Sequence, residues 1–354
     1  MEKTLTTNPF YHYQDFWKSK NFKEWETEQS QEFKQYRKLW QECPKNRKIM
    51  PAPLSINIEL TDICNAKVAC IMCPKWLIER HNMKMSFEEA KEILDEARAI
   101  GVYAVNLNGA GESLIHPDFV KIVKYAKKIG FLDVMVHTNA TMLNEKLANE
   151  LIDSGLTRLI TSVDSHIPEV YAKIRPSFDF NQVYNNVKKF VELRDKKGKR
   201  EPILRVTIVV MKDNLETIKD TINFWNFADY ITVNDCMYFD KFKVFDFDKP
   251  AITKKAKDSN LCYVCSPLYQ QLTVTVDKKI IVCSTIYAKN NGVLGKYAPG
   301  QGSLLKVWEG DGLKEMRSCH SQGQWDAIKA CSLCDLPQIE LLKRMRNIEG
   351  VMLS

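Results

Sequence analysis

The residues best able to do chemistry in this 354-residue chain are its eleven cysteines, and their spacing divides them into groups. Cys64, Cys70 and Cys73 fall within ten residues, with five residues in the first gap and two in the second. Seven more follow position 230: Cys236, Cys262, Cys265, Cys283, Cys319, Cys331 and Cys334. Three thiolates on one loop, with no evident fourth ligand, leave one iron of a four-iron cluster open to a small molecule, whereas a fully ligated cluster mostly transfers electrons. A structural zinc site instead closes with four ligands. His81 would supply the fourth at the first group, and Cys262 and Cys265 with Cys331 and Cys334 would form a second such site, so both metals stay open at this point.

Around these cysteines the chain alternates strands and helices. Apolar runs suited to strands occupy Ser55–Leu60, Ala104–Asn108, Asp133–His137, Arg158–Val163, Leu204–Val210 and Tyr230–Asn234. Between them lie helical patterns with clear punctuation. Ser86 and Glu89 read as a capping box, Pro117 and Gly130 bracket the next helix, and others run from Asn144 to Gly155, Asn181 to Lys197 and Leu215 to Phe227. Six such repeats predict an α/β fold with parallel strands, and periodicity fits an open sheet and a barrel equally well. In either case the chemistry belongs at the strand C-terminal ends. Residues 1–50 read as short amphipathic helices that pack on this unit or cover its mouth. Residues 51–239 form the main domain, and 240–354 a smaller module with short strands at Gln271–Val276 and Lys279–Val282, joined by a turn at Asp277 and Lys278.

The loop from Glu59 to Pro74 resembles the radical S-adenosylmethionine (SAM) superfamily, whose usual motif has three residues where this chain has five between Cys64 and Cys70. Motifs at the next strand ends extend the resemblance over residues 54–236. Met72 stands where the family has an aromatic beside the SAM adenine, and a polarizable thioether can pack there too. Asn108-Gly109-Ala110-Gly111-Glu112 is similar to the turn that binds the aminoacyl end of SAM, Glu112 offering its carboxylate to the ammonium group. His137-Thr138-Asn139 is similar to a stretch beneath the SAM site. Ser162, at the end of the fourth strand, and Arg175 take the place of SAM-contacting residues, Arg being the natural partner of the SAM carboxylate. His137 and Lys75 are weaker candidates. The resemblance implies a partial (β/α)6 TIM-like barrel, a [4Fe-4S] cluster on Cys64, Cys70 and Cys73 with SAM on its open iron, and a reductant such as flavodoxin or ferredoxin.

The C-terminal pattern resembles a SPASM or shortened "twitch" domain: Cys265-Ser266-Pro267, a strand pair, Cys283, then Ser303–Trp308 and Cys331-Ser332-Leu333-Cys334. That implies one auxiliary [4Fe-4S] cluster on Cys265, Cys283, Cys331 and Cys334, with Cys262 competing for Cys265. A full SPASM domain holds two clusters and carries further cysteines, which are not found before Ser354. Cys43, Cys236 and Cys319 are expected to be unliganded.

Bulk properties narrow the function classes. Charged residues make up 27%, too ordinary a fraction for a disordered chain. No run of eighteen apolar residues occurs, so no membrane span is expected. The start, Met1-Glu2-Lys3-Thr4, lacks the pattern of a signal peptide, which places the protein in the cytoplasm, where disulfides are rare. The net charge of +7 lacks a concentrated basic run beyond Lys196–Arg200, so a nucleic-acid partner is not expected. Residues 1–50 are too short for a peptide-recognition domain. That tilts the expected reaction toward oxidising or epimerising a sugar or cyclitol, with modification of a ribosomally made peptide as the alternative. The non-enzyme alternative, a metal-stabilised binding or electron-transfer protein, explains the cysteines but not the other strand-end residues.

Overall fold

The computed structural model describes residues 14–73, 81–236, 251–252, 254, 258, 263–283 and 291–341. In chain order it begins with β1 (Gln14–Lys18), α1 (Lys20–Glu28) and α2 (Gln31–Lys45). Six strands follow: β2 (Ser55–Ile58), β3 (Ala104–Asn106), β4 (Asp133–Thr138), β5 (Arg158–Ser162), β6 (Ile203–Val210) and β7 (Tyr230–Asp235). Between them run α3 (Phe87–Ala99), α4 (Phe119–Lys128), α5 (Glu145–Ile152), α6 (Pro168–Ile174), α7 (Phe180–Lys196) and α8 (Ile218–Phe224). The C-terminal part comprises α9 (Pro267–Gln270), β8 (Gln271–Val274), β9 (Lys279–Ile281), β10 (Val293–Lys296), α10 (Ser303–Trp308), α11 (Asp311–Ser321) and α12 (Lys329–Ser332).

Local chemistry explains the helix starts. Ser86 and Glu89 form the reciprocal capping box, and Asn144 accepts the Leu147 amide to cap α5. Gly130 and Gly155 follow α4 and α5 with φ of 96° and 84°, a left-handed geometry glycine takes without strain.

The strands form one sheet in the order β1-β7-β6-β5-β4-β3-β2-β8-β9-β10. β2 to β7 are parallel neighbours in sequence order. Two additions were not foreseen in the sequence. β1 pairs antiparallel with β7, and β8 pairs parallel with β2, so both edges of the parallel array are covered. The pattern of a single strand does not reveal such distant pairing.

The two faces of the parallel array differ. One is apolar and packs under the helices: Ile56, Ile58, Val105, Val136, Leu159, Leu204, Val206, Ile231 and Val233 share a core with Ile93, Ile122, Leu151 and Phe190. The alternating positions are mixed: Asn57, Asn106, His137, Ser162, Arg205, Thr207, Thr232 and Asn234 alternate there with Met135, Ile160, Ile203 and Val209. A parallel sheet buried on both sides reads as continuous apolar strands, so this second face departs from the rule.

The N-terminal helices pack at the strand N-terminal ends, away from the cysteine loop. Arg158, first in β5, pairs with Asp133, first in β4, at 2.7 Å, and lies over the Trp25 ring at 5.3 Å. Tyr36 stacks on Tyr103, just before β3. Among the described residues, α1 and α2 thus pack on the main unit at the end opposite the cysteine loop.

Candidate active site

The first cysteine loop leaves β2 through residues that tie it down. The buried Glu59 carboxylate accepts the amides of Ala110 at 2.7 Å and Val276 at 3.1 Å, joining the β2 end to the glycine turn and to the C-terminal module. Asp62 accepts the amides of His81, Asn82 and Met83, closing the far side of the loop. The His81 ring sits 3.9 Å from Asp277, so this candidate fourth ligand turns toward the β8–β9 connection. The five-residue gap is pinned twice. Asn65 bonds the side chains of Asn139 and Thr141, and the Val68 backbone bonds Ser177 Oγ at 2.6 and 2.7 Å.

Cys64, Cys70 and Cys73 are partly exposed. The Cys73 amide donates to the Cys70 carbonyl at 3.0 Å, a tight turn that keeps the two thiols together. Burial pushes the Cys70 thiol up and the neighbouring Arg175 charge opposes it, with Cys73 and Cys64 also within electrostatic reach. Met72 packs with Ile71, Val209, Met211, Cys236 and Ile174 in a small apolar cluster at the β6 and β7 ends. Lys75 lies outside the described residues.

At the glycine turn the geometry supplies a different reason for glycine than the one expected. A Cβ on Gly111 would lie 2.4 Å from the carbonyl oxygens of Thr61 and Ile63, and one on Gly109 would lie 2.3 Å from Glu59 Cγ. The cysteine loop itself crosses the turn, and only glycine lets it pass. Glu112 also differs from expectation. Its carboxylate is buried and accepts from Thr138 Oγ1 at 2.7 Å, the Asn139 amide at 2.8 Å and the Leu114 amide at 3.2 Å. Burial raises its pKa while these donors oppose the shift. Glu112 thus joins the ends of β3 and β4, and the backbone carbonyls of the turn are left to meet a ligand.

Arg175 likewise has a carboxylate partner within the chain. Its Nε and Nη2 each lie 2.7 Å from Asp164 Oδ2, and its Nη1 donates toward Cys70 Sγ at 3.8 Å. The fork expected to take a ligand carboxylate is occupied by Asp164, and the remaining face of the guanidinium points at the cysteine loop. Asp164 has φ of 53° and also accepts the Val209 amide, while its carbonyl accepts from Asn214. Ser162 ends β5 on the polar face, opposite Thr207. His137 lies on that face too, its pKa lowered to about 3 by burial and by the charge of Arg205.

The sequence reading passed over Glu59, Asp62, Asn65, Asp164 and Ser177. Asp164 carried a signal: an acid just past a strand, eleven residues before an arginine.

The second group of cysteines sits in apolar surroundings. Tyr263, Trp325, Ile252, Leu336 and Leu341 form a cluster against which Cys265, Cys331 and Cys334 pack. Burial raises the Cys265 thiol well above its ordinary range, with Cys283, Cys331 and Cys334 adding to the shift and a hydrogen bond from Tyr263 opposing it. Cys331 is pushed up to about 12 by burial, then by Cys283 and Cys319. His320, buried on α11, places Nε2 3.4 Å from Cys331 Sγ, and burial lowers its pKa to about 4. Cys262 lies outside the described residues. Cys43 is buried with α1 and α2, and Cys236 lies in the Met72 cluster.

The three cysteines of the first loop suit a four-iron cluster with one iron left open. Among the described residues no three His, Cys, Asp or Glu side chains converge closely enough to share one ion, and a four-iron cluster asks for no such convergence because it takes one thiolate per iron.

Residues 58–224 match the family model described as the radical SAM superfamily. The chain carries a radical SAM domain. Its curated relatives include the probable GTP 3′,8-cyclases of Methanothermobacter marburgensis, 41% identical over 33% of this chain and 37% of that one, and Methanocaldococcus jannaschii, 30% identical over 48% and 54%. The GTP 3′,8-cyclase of Clostridium botulinum is 29% identical over 48% of this chain and 51% of its own. The radical SAM domain thus matches only about half of these relatives' length, or less. Solved structures of similar fold include Streptococcus suis SuiB bound to S-adenosylmethionine, with a TM-score of 0.59 at 18% identity over 82% of this chain and 73% of that one. BtrN in complex with AdoMet and 2-DOIA follows at 0.51 and 15%, over 80% and 92%. These structural likenesses are of fold: an α/β unit around a mostly parallel sheet. No helix among the described residues is long and apolar enough to cross a membrane.

Proposed function

We propose that this radical SAM enzyme acts on a small, polar, hydroxyl-rich substrate of the sugar or cyclitol kind, oxidising or epimerising it. The supporting observation is the polar face of the sheet, where Asn106, His137, Ser162, Arg205, Thr207, Thr232 and Asn234 replace the apolar residues a buried parallel sheet ordinarily has. Arg205 Nε lies 3.3 and 3.1 Å from the hydroxyls of Thr207 and Thr232, a polar network across β6 and β7 beneath the strand C-terminal ends.

Cys64, Cys70 and Cys73 would hold a [4Fe-4S] cluster with one iron left for SAM, and Cys265, Cys283, Cys331 and Cys334 an auxiliary [4Fe-4S] cluster. When bound, the first cluster and SAM together supply a 5′-deoxyadenosyl radical able to remove a hydrogen atom from the substrate. The chain's part is orientation and exclusion of water. The Gly109–Gly111 carbonyls would accept hydrogen bonds from the SAM ammonium and Met72 with its apolar neighbours would receive the adenine, with Asn139 and Ser162 at the same strand ends. Arg175 keeps a positive charge beside Cys70. The cyclase activity of the relatives is not carried over, because the matched stretch is less than half of this chain.

Anaerobically reconstituted protein, given SAM and a strong reductant, should yield 5′-deoxyadenosine detectable by mass spectrometry, and a Cys70→Ala control should not. Product from both would overturn the assignment of the first site. For the substrate, partially purified polar metabolites and short peptides should be compared as stimulants of that cleavage. Stimulation by peptides alone would reverse the substrate reading.

A further inference from the structure

We infer that His320 is a positioning residue for the auxiliary site: it donates an N–H···S hydrogen bond to Cys331 and thereby raises the reduction potential of the metal centre held there. The inference rests on the proposal that Cys265, Cys283, Cys331 and Cys334 hold a cluster.

The geometry carries it. His320 projects from α11 and is 3% exposed, with Nε2 3.4 Å from Cys331 Sγ, within range of a hydrogen bond to sulfur. A neutral imidazole has one N–H and one lone pair, and a metal-bound thiolate only accepts. The nitrogen facing sulfur must therefore carry the hydrogen. The ring is held in place by its surroundings: Tyr263 lies 6.0 Å away centroid to centroid, and Tyr263 itself packs on Trp325. A ring merely filling space in this apolar cluster would need no polar atoms, and Phe or Leu would avoid desolvating an imidazole. Hydrogen bonds to the sulfurs are among the protein's main means of setting cluster potential, since each withdraws electron density from sulfur and favours the reduced, more negative state.

The contrast with the first site strengthens the reading. There the group directed at sulfur is a cation, Arg175, balanced by Asp164. At the second site Tyr263 donates to Cys265 and the Leu336 amide to Cys334, Asp335 and Glu340 lie within electrostatic reach of Cys334 and Tyr263, and His320 is the side chain directed at Cys331.

The test is an EPR-monitored redox titration of the holoenzyme, with iron and sulfide counted by chemical assay and Mössbauer spectroscopy, for the wild type, His320→Phe and His320→Gln. The expected result is full iron in all three. The potential of the auxiliary cluster should be more negative in His320→Phe and intermediate in His320→Gln, whose amide can still donate, with the first cluster unmoved. Full iron with an unchanged auxiliary potential would overturn the inference. Loss of that iron in both variants would also overturn it, by making His320 a ligand or a packing support. A wild type whose iron count does not fall in Cys265→Ala or Cys331→Ala would instead remove the auxiliary cluster itself, a separate and recognisable failure.

Discussion

The two cysteine sites of this chain are built on opposite principles. Cys64, Cys70 and Cys73 lie partly exposed on a loop held by polar anchors: Glu59, Asp62, Asn65 and Ser177, with the Arg175–Asp164 pair beneath. Cys265, Cys331 and Cys334 are partly exposed too, but pack against Tyr263, Trp325, Leu336 and Leu341, with Tyr263, the Leu336 amide and His320 as donors. Polar walls suit the admission of a charged small molecule, whereas apolar walls lower the local dielectric around whatever the thiols hold. The difference teaches that three thiols and four thiols are distinguished less by the missing ligand than by what the fold places around them.

The largest expected effect attacks the first site alone. Cys70→Ala should abolish 5′-deoxyadenosine formation and remove the iron of one cluster, while the iron of the C-terminal set stays. Iron analysis beside the cleavage assay checks this, and loss of both clusters would show that the two sites fold as one unit and break the comparison.

Next comes the buried ion pair. Asp164→Asn keeps a residue that tolerates the left-handed φ of 53°, so the backbone should hold. It removes the carboxylate from Arg175, leaving a buried charge, which costs about 3–5 kcal/mol. Chemical denaturation should register that loss, and the midpoint of the first cluster should rise as Arg175 turns its uncompensated charge toward Cys70. An unchanged stability would mean that Arg175 finds solvent or another partner.

Much of this arrangement is legible in the sequence. The order of Cys64–Cys73, Gly109–Glu112, Asn139 and Arg175 along successive strands points to the candidate site, and period-2 and period-3.6 patterns place β2 to β7, α3 to α5, α7 and α8, while the short α6 went unread. The roles of individual side chains are less legible. Glu112 and Arg175 are recognisable by position, yet their partners, Thr138, Asn139 and Asp164, come from other strand ends and are fixed only by folding. The same holds for β1 and β8, whose pairing with β7 and β2 spans more than two hundred residues. At Gly109 and Gly111 the sequence shows that a Cβ is absent and not that the cysteine loop would have met it.

A pH dependence separates the polar face from the second site. His137 has an ordinary value of 6.5 and is lowered to about 3 in the folded chain, first by burial and then by Arg205. A group whose charged form is disfavoured by folding binds its proton more readily when unfolded. Stability should therefore be lost as pH falls from 6.5 toward 3, by roughly 5 kcal/mol at most. Thermal denaturation of the wild type and His137→Gln across that range should show the slope flattened in the variant. Equal slopes would place the acid sensitivity elsewhere, with His320 the next group to examine.

The smallest effect concerns the five-residue gap. Ser177 Oγ both accepts from the Val68 amide and donates to its carbonyl, at 2.6 and 2.7 Å, and is the anchor of the insertion on the α6 side. Ser177→Ala removes two exposed hydrogen bonds, worth about 1 kcal/mol together, so global stability should scarcely change. The loop, however, loses one of its two tethers while Asn65 keeps the other. The expected outcome is a few-fold rise in the SAM concentration needed for half-maximal 5′-deoxyadenosine formation, with the C-terminal iron count and its spectrum unaltered. A change at the C-terminal cysteines would mean that loop order at one site is felt at the other. The route for that coupling would then be Glu59, whose two carboxylate oxygens already bind Ala110 on one side and Val276 on the other.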